Sequence, residues 1–233
     1  MLDGAKRSVA LVAPYAAWMV LMVALPVTAW AYAVRGAVTA LLLILSFFHL
    51  SRNFHLLLWG PSPEIDGDSP PGGYGDSPPG GSGRWGQSPW GLGVGVVAGV
   101  FVFFVWIAPE LWLGSLPGIP AAAPVAAADS PYSPEVCGWA LTLAKVAASA
   151  FVISAAEELF FRRWLVDFAG FWWMVALFAV EHGDRWAVGA VAGVVYGLVA
   201  RRFGLLAAIV AHAVTNFALA ILVVIQGRWE FWQ

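Results

Sequence analysis

Ionisable and amide side chains lie inside long apolar segments in the last third of the sequence. Two adjacent carboxylates, Glu157 and Glu158, are followed by Arg162 in the segment SAAEELFFRRW. A charged group near the centre of a bilayer costs about 2.5–3.5 kcal/mol on insertion scales, so such groups usually face a protein interior or a water-filled cavity. Carboxylate, imidazole and amide groups held at that depth suit acid–base chemistry, metal binding or proton transfer.

Helical spacing gives the two glutamates different surroundings. Residues four apart share one face of a helix, so we expect Glu158 to pair with Arg162 while Glu157 is turned about 100° away. Two more pairs have the same spacing in later segments, and they are Phe178 with His182 and His212 with Asn216. An intramembrane His or Asn alone often serves only helix packing. The three patterns on three separate segments together predict one polar site inside the bundle.

The composition predicts that the helices carrying these residues cross a membrane. Of the 233 residues, 61% are hydrophobic and 11% are charged, against about 45–50% and about 25% in soluble domains. The Lys and Arg residues are scattered and the net charge is −2, which argues against a nucleic-acid partner. The single cysteine, Cys137, excludes an intramolecular disulfide and a metal site built on several thiolates.

About 20 apolar residues are needed for each crossing, and we therefore predict an all-α, polytopic transmembrane helical bundle of about seven spans. The fifth is short and is expected to be partly re-entrant, and the second is interrupted after residue 50. The predicted spans are approximately 9–34, 37–59, 91–108, 135–163, 171–181, 186–200 and 205–226. The predicted organisation is an N-terminal transmembrane hairpin (1–59), a flexible Gly/Pro/Ser/Asp-rich loop (60–90), a third span with a Pro/Ala-rich loop (91–134) and a core that carries the polar motifs (135–233).

The distribution of basic residues predicts the orientation. Lys and Arg are retained preferentially in cytoplasmic segments, and most of them fall on one side if the amino terminus is cytoplasmic. The composition, rich in Ala, Val, Gly and Trp, favours a bacterial inner membrane as the location.

The ordered set of motifs resembles the CPBP family, also called the CAAX-processing and Abi family of intramembrane endopeptidases. Its three parts are Glu157-Glu158-x-x-x-Arg162, Phe178-x-x-x-His182 and His212-x-x-x-Asn216. All three match without a substitution, and the resemblance covers about residues 140–225. It implies a glutamate-type intramembrane protease acting on a membrane-associated or lipid-modified peptide or protein in the bilayer.

The resemblance also implies a role for each matching residue. Glu157 would be the general base, sharing a water molecule with His182, and His212 and Asn216 would donate hydrogen bonds to the oxyanion. Glu158, Arg162 and Phe178 would support these groups. The resemblance favours a mechanism without a metal or cofactor, and the chain contains no HExxH sequence. A zinc ion bound by Glu157, His182 and His212 is the alternative.

Two other function classes stay open at this stage. Buried Glu and His residues can also relay protons or bind cations in a transporter, although we find no internal repeat of the apolar segments. A catalytically silent scaffold or immunity protein is the third class. Among the remaining polar residues, Glu181 is expected to pair with Arg185, while His49 and His55 are expected to lie away from the site.

Overall fold

The computed structural model describes residues 2–50, 90–110 and 123–232, and the regular structure of these residues is entirely helical. Three short 3-10 turns, Ala127–Asp129, Gly183–Arg185 and Trp229–Trp232, accompany the longer helices. The helices are α1 (Leu2–Ala24), α2 (Ala29–Leu50), α3 (Gly91–Ala108), α4 (Pro134–Ala169), α5 (Phe171–Glu181), α6 (Trp186–Phe203) and α7 (Leu205–Gln226). The predicted all-α helical bundle is confirmed.

Six of these helices are long and apolar enough to cross a membrane, as expected of an integral membrane protein. The exception is α5, the fifth predicted span, which has 11 residues. At about 1.5 Å per residue it is about 16 Å long, whereas the hydrocarbon core of a bilayer is about 30 Å thick. Helix α5 is therefore too short to cross the membrane by itself.

The first two predicted spans have different boundaries in the structure. The first was expected to continue to residue 34, but α1 ends at Ala24 and α2 begins at Ala29. Pro26 lies between them and has no N–H group with which to continue a helix. Residue 55 and almost all of the predicted loop 60–90 lie outside the described residues.

Helix α4 is longer and less regular than predicted, since it continues past residue 163 to Ala169. Its central α-helical turn, Ser154–Glu158, lies between two π-helical segments, Ala148–Ile153 and Leu159–Leu165. π-Helical turns are wider than α-helical turns and often occur at functional sites. The glutamate pair therefore lies on one regular turn between two irregular ones.

Helix α7 lies at the centre of the described bundle, in contact with α3, α4 and α6. Three glycines on α3 are spaced four residues apart: Gly95 and Gly99 face α7, and Gly91 lies closest to Phe203 at the end of α6. A Cβ on Gly95 would lie 2.5 Å from the carbonyl oxygen of Ala207, and one on Gly99 would lie closer still to that of Ala211. Small residues at this spacing let two membrane helices approach backbone to backbone.

A second row of glycines brings α6 against α5. A Cβ on Gly189 would lie 3.0 Å from the His182 ring, and a Cβ on Gly193 would lie 3.3 Å from the Phe178 ring. A Cβ on Gly197 would lie 2.7 Å from the Phe171 ring. The row thus makes room for the aromatic face of α5, including both residues of the Phe-x-x-x-His motif.

The close approach of α3 to α7 leads to a first prediction. Gly99→Leu is expected to destabilise the fold by about 3 kcal/mol or more, because the new side chain would meet the backbone of α7. Gly93→Leu is the matched control, since nothing lies within 4 Å of its Cβ position. Thermal unfolding in detergent would measure both, and equal midpoints for the two variants would contradict the close packing.

Candidate active site

The two glutamates of α4 lie inside the bundle and face different groups. Glu158 is fully buried and Glu157 is 7% exposed. Neither environment resembles the surface of an ordinary helix, where a carboxylate would reach water. Each carboxylate approaches a different ring nitrogen of His212 on α7.

Glu158 forms the expected ion pair with Arg162. The guanidinium Nη1 lies 3.2 Å from the carboxylate Oε1, and both side chains are almost completely inaccessible. The guanidinium carbon lies 4.0 Å from the centre of the Phe178 ring and 5.5 Å from that of Tyr196. Cation–π contacts of this kind are worth about 0.5–2 kcal/mol. Phe178 therefore supports the ion pair by forming one wall of its cage.

His212 lies between the two glutamates. Its Nδ1 is 2.9 Å from Oε1 of Glu158, and its Nε2 is 3.7 Å from Oε2 of Glu157. When Glu158 is ionised it can only accept, so Nδ1 must carry the hydrogen of that bond. In the neutral imidazole, Nε2 then has a lone pair directed toward Glu157, whereas in the imidazolium form it is a donor.

Tyr196 of α6 fixes the plane of the His212 ring, and this residue was not among the predicted site residues. The two rings stack with their centroids 4.9 Å apart at an angle of 21°. The Tyr196 hydroxyl donates to Oγ1 of Thr215 at 2.7 Å, and Thr215 donates to the carbonyl oxygen of Gly99 at 2.8 Å. In the sequence Tyr196 lies in an ordinary apolar helix, so no local signal distinguishes it from a packing residue.

His182 lies just beyond the carboxyl end of α5, in the turn toward α6. Its Nδ1 lies 2.7 Å from the carbonyl oxygen of Phe178, so the hydrogen is on Nδ1 and the lone pair on Nε2 in the neutral ring. Its ring lies 4.7 Å from Phe178 and 5.2 Å from Trp106. In the described part of the chain His182 forms no ion pair with a glutamate. Its side chain is half-buried, as is that of Asn216, whereas Glu157, Glu158 and His212 are buried.

Asn216 lies one turn after His212 on α7, as predicted, but both of its amide hydrogens have partners. Its Nδ2 lies 3.1 Å from the carbonyl oxygen of Ser149 and 3.1 Å from Oγ of Ser154. Ser149 belongs to the first π-helical segment of α4 and Ser154 begins the turn that carries the glutamates. In this arrangement Asn216 joins α7 to α4 at the wide turn.

This position leads to a second prediction. Asn216→Ala is expected to lower the stability by about 1–2 kcal/mol, because two hydrogen bonds between α7 and α4 are lost and the Ser149 carbonyl keeps only the weaker bond from the Ser154 hydroxyl, at 3.4 Å. Ser154→Ala removes one acceptor of Asn216 and one long donor bond to Ser149 but leaves the Asn216–Ser149 bond in place, so it should show a smaller loss of the same kind. Activity and thermal midpoint should fall together in both variants. A loss of kcat of about 10²–10³-fold with an unchanged midpoint would instead indicate an oxyanion donor.

The predicted pair of Glu181 with Arg185 is wrong. Arg185 forms an ion pair with Glu110 at the end of α3 and donates to the carbonyl oxygen of Trp106 at 3.2 Å. The i,i+4 rule does not apply because α5 ends at Glu181 and a 3-10 turn follows. Glu181 interacts instead with the hydroxyl of Tyr15 on α1, and its Oε2 is buried without a hydrogen-bond partner.

The three residues predicted as alternative zinc ligands are Glu157, His182 and His212. A catalytic zinc needs three protein ligands at about 2.0–2.2 Å from one ion. In the described ranges, no three His, Cys, Asp or Glu side chains are grouped in a way that could hold a metal ion. His212 also uses one ring nitrogen on Glu158, which leaves it one nitrogen for any ligand.

Comparison with protein families finds one family model that matches the last third of the chain. Residues 139–218 match the family described as type II CAAX prenyl endopeptidase, Rce1-like. The match spans all three motifs, from the Glu157–Glu158 pair to Asn216, and confirms the resemblance noted from the sequence. No curated protein and no solved structure matches the chain. The match covers about a third of the chain and supports a protease of the CAAX endopeptidase kind.

Proposed function

We propose that this protein is an intramembrane endopeptidase in which Glu157 activates a water molecule to hydrolyse a peptide bond. The observation that carries the proposal is the position of His212, held by Glu158 and Tyr196 with its Nε2 facing Glu157. The site also holds the Glu157 carboxylate and a second histidine, His182, which is half-buried. Together with the oriented imidazole of His212, they provide the groups that peptide hydrolysis needs.

In the proposed first step, Glu157 takes a proton from water as the water oxygen attacks the peptide carbonyl. His182 assists by accepting a hydrogen bond from the same water at Nε2, which is free because Nδ1 bonds to Phe178. Glu157 then returns the proton to the leaving amine as the carbon–nitrogen bond breaks. The sequence consumes one water and releases two peptides, with no other reactant.

His212 is proposed to stabilise the oxyanion in its imidazolium form. Its Nδ1 hydrogen stays on Glu158, so only Nε2 is available to donate to the developing charge. Glu158 compensates the positive charge of the ring, and Arg162 in turn holds Glu158. Removing one donor of this kind typically costs about 10²–10³-fold in kcat.

The proposed substrate is a membrane-associated or lipid-modified protein that reaches the site from the bilayer. The half-buried face of His182, beside Trp106 of α3, is the proposed point of entry. We further propose a bacterial inner membrane as the location, with the amino terminus in the cytoplasm.

Purified protein in detergent or nanodiscs, incubated with membrane-associated peptides, would test this function. Wild type should cleave a peptide bond, and His182→Ala and His212→Ala should abolish cleavage while remaining folded. Cleavage that survives a chelator supports the glutamate mechanism, and cleavage that zinc restores after chelation supports the metal alternative. If the variants cleave as wild type does, the site assignment fails. Proton flux across liposomes would then test the transporter alternative.

A further inference from the structure

A second group of buried charges lies away from the glutamates, formed by Arg35 of α2 and Lys145 of α4. Arg35 is 3% exposed and Lys145 is 7% exposed. Lys145 lies on the same helix as Glu157, twelve residues earlier and on the other side of the π-helical segment Ala148–Ile153. The proposed mechanism uses neither cation.

Aromatic rings enclose both cations. The Lys145 Nζ lies 3.8 Å from the centre of the Tyr32 ring, 4.1 Å from Tyr132 and 5.1 Å from Trp232. The Arg35 guanidinium carbon lies 5.4 Å from the Tyr32 ring, and its Nε donates to the carbonyl oxygen of Ala31 at 3.4 Å. Its Nη2 is buried and has no hydrogen-bond partner.

These two cations have no acidic partner among the described residues, since each ion pair found there involves other groups. The phenol of Tyr132 does not supply the missing charge, because burial raises its pKa above the ordinary value of 10.0 and outweighs the opposing effect of Arg35. Burying an ion costs several kcal/mol unless an opposite charge compensates it. Two adjacent buried cations without an acidic partner in the described part of the chain therefore point to an anionic ligand.

We infer that Arg35 and Lys145 form a binding site for the carboxylate at the end of an apolar chain. Arg matches the two oxygens of a carboxylate, and the Lys ammonium adds a second donor. A phospholipid phosphate is a poorer fit, because it carries two ester substituents and both cations are enclosed by rings. A carboxylate carries one substituent and can enter end-on.

Two of the rings that cover this site lie outside the membrane spans. Tyr132 precedes α4, and Trp232 belongs to the 3-10 turn after α7. Their two rings are in edge contact, with centroids 6.4 Å apart. Displacing them would open the Lys145 side. Tyr32 on α2 and Trp18 on α1, whose ring lies 5.6 Å from the Arg35 guanidinium carbon, would remain in place. The carboxylate could end a peptide or a fatty acid, and the chemistry of recognition is the same for both.

Ligand-dependent thermal stability would test the site independently of proteolysis. The protein used would be the full chain carrying Glu157→Gln, in nanodiscs of zwitterionic lipid, so that peptide probes are not cleaved. The probes are an apolar peptide with a free C-terminal carboxylate against its amide, and myristate against its methyl ester. At a hundredfold excess over Kd, the acid form of at least one pair should raise the unfolding midpoint by about 5 °C.

Variants then assign the effect to the two cations. Lys145→Met and Arg35→Met should abolish the shift, whereas Lys6→Met, at an exposed lysine, should keep it. A shift with the peptide acid alone or the fatty acid alone identifies the source. The inference is overturned if amide or ester acts equally, if neither acid acts, or if the Met variants keep the shift. A shift only with anionic phospholipid also overturns it. The acid–amide comparison remains decisive if a variant does not fold.

Discussion

Glu157→Gln is expected to reduce peptide cleavage by about 10²–10⁴-fold, the usual contribution of a general base. The amide has nearly the same size as the carboxylate but cannot take a proton from water. The thermal midpoint should change little, because the replaced group makes only a long contact, 3.7 Å, with His212. Initial rates of cleavage and thermal unfolding of the same preparation would measure both effects.

Glu135→Gln is the control for this change, since Glu135 is an exposed carboxylate at the start of the same helix. It should retain wild-type rates. A Glu157→Gln protein that retains activity within a few-fold would exclude Glu157 as the base. If the wild-type protein shows no detectable cleavage, the test peptide is not a substrate and the experiment must be repeated with another peptide before the role of Glu157 is judged.

Glu158→Leu is expected to destabilise the protein by about 3–5 kcal/mol, the usual cost of breaking a buried ion pair from one side. The change would leave the Arg162 guanidinium in its aromatic cage without an opposite charge. The double variant Glu158→Leu/Arg162→Met should recover much of that stability, because no uncompensated charge remains. Chemical or thermal unfolding of the three proteins would provide the comparison.

The recovery should be incomplete in the double variant. His212 loses its Nδ1 partner in both proteins, and a buried donor without an acceptor costs about 1–3 kcal/mol. Both variants should therefore remain inactive even where stability returns. Equal stability of the single and double variants would mean that Arg162 finds another partner and that the pair does not organise this region.

Much of the fold could be predicted because the apolar segments end at strong local signals. Helices α3, α5 and α7 have the predicted boundaries, each beginning next to a glycine or a loop residue. The first span was predicted too long because an apolar pattern alone does not show where Pro26 stops a helix. The irregular turns of α4 were not predictable, since Ala148–Ile153 and Leu159–Leu165 have the same apolar periodicity as an ordinary helix.

The site was predictable where chemistry follows helical spacing and not where it depends on packing. The Glu158–Arg162 pair follows directly from the i,i+4 rule. The stacking of Tyr196 on His212 depends on how α6 packs against α7, which no local pattern records. The predicted pair of Glu181 with Arg185 failed because the same spacing rule was applied across the end of a helix. The partners of Arg185 come from α3, far away in the sequence.

The two π-helical segments of α4 divide one long helix into three parts with different rotational phase. A residue in an α-helix advances by about 100°, and each wide turn interrupts that progression. The face that α4 presents to lipid before Ala148 is therefore not the face it presents after Leu165. Removing a single residue from either wide turn would rotate Glu157 and Glu158 relative to one flank of their own helix. The orientation of the two glutamates thus depends on the number of residues in each wide turn as well as on their types. We expect α4 to tolerate substitutions in these turns more readily than insertions or deletions.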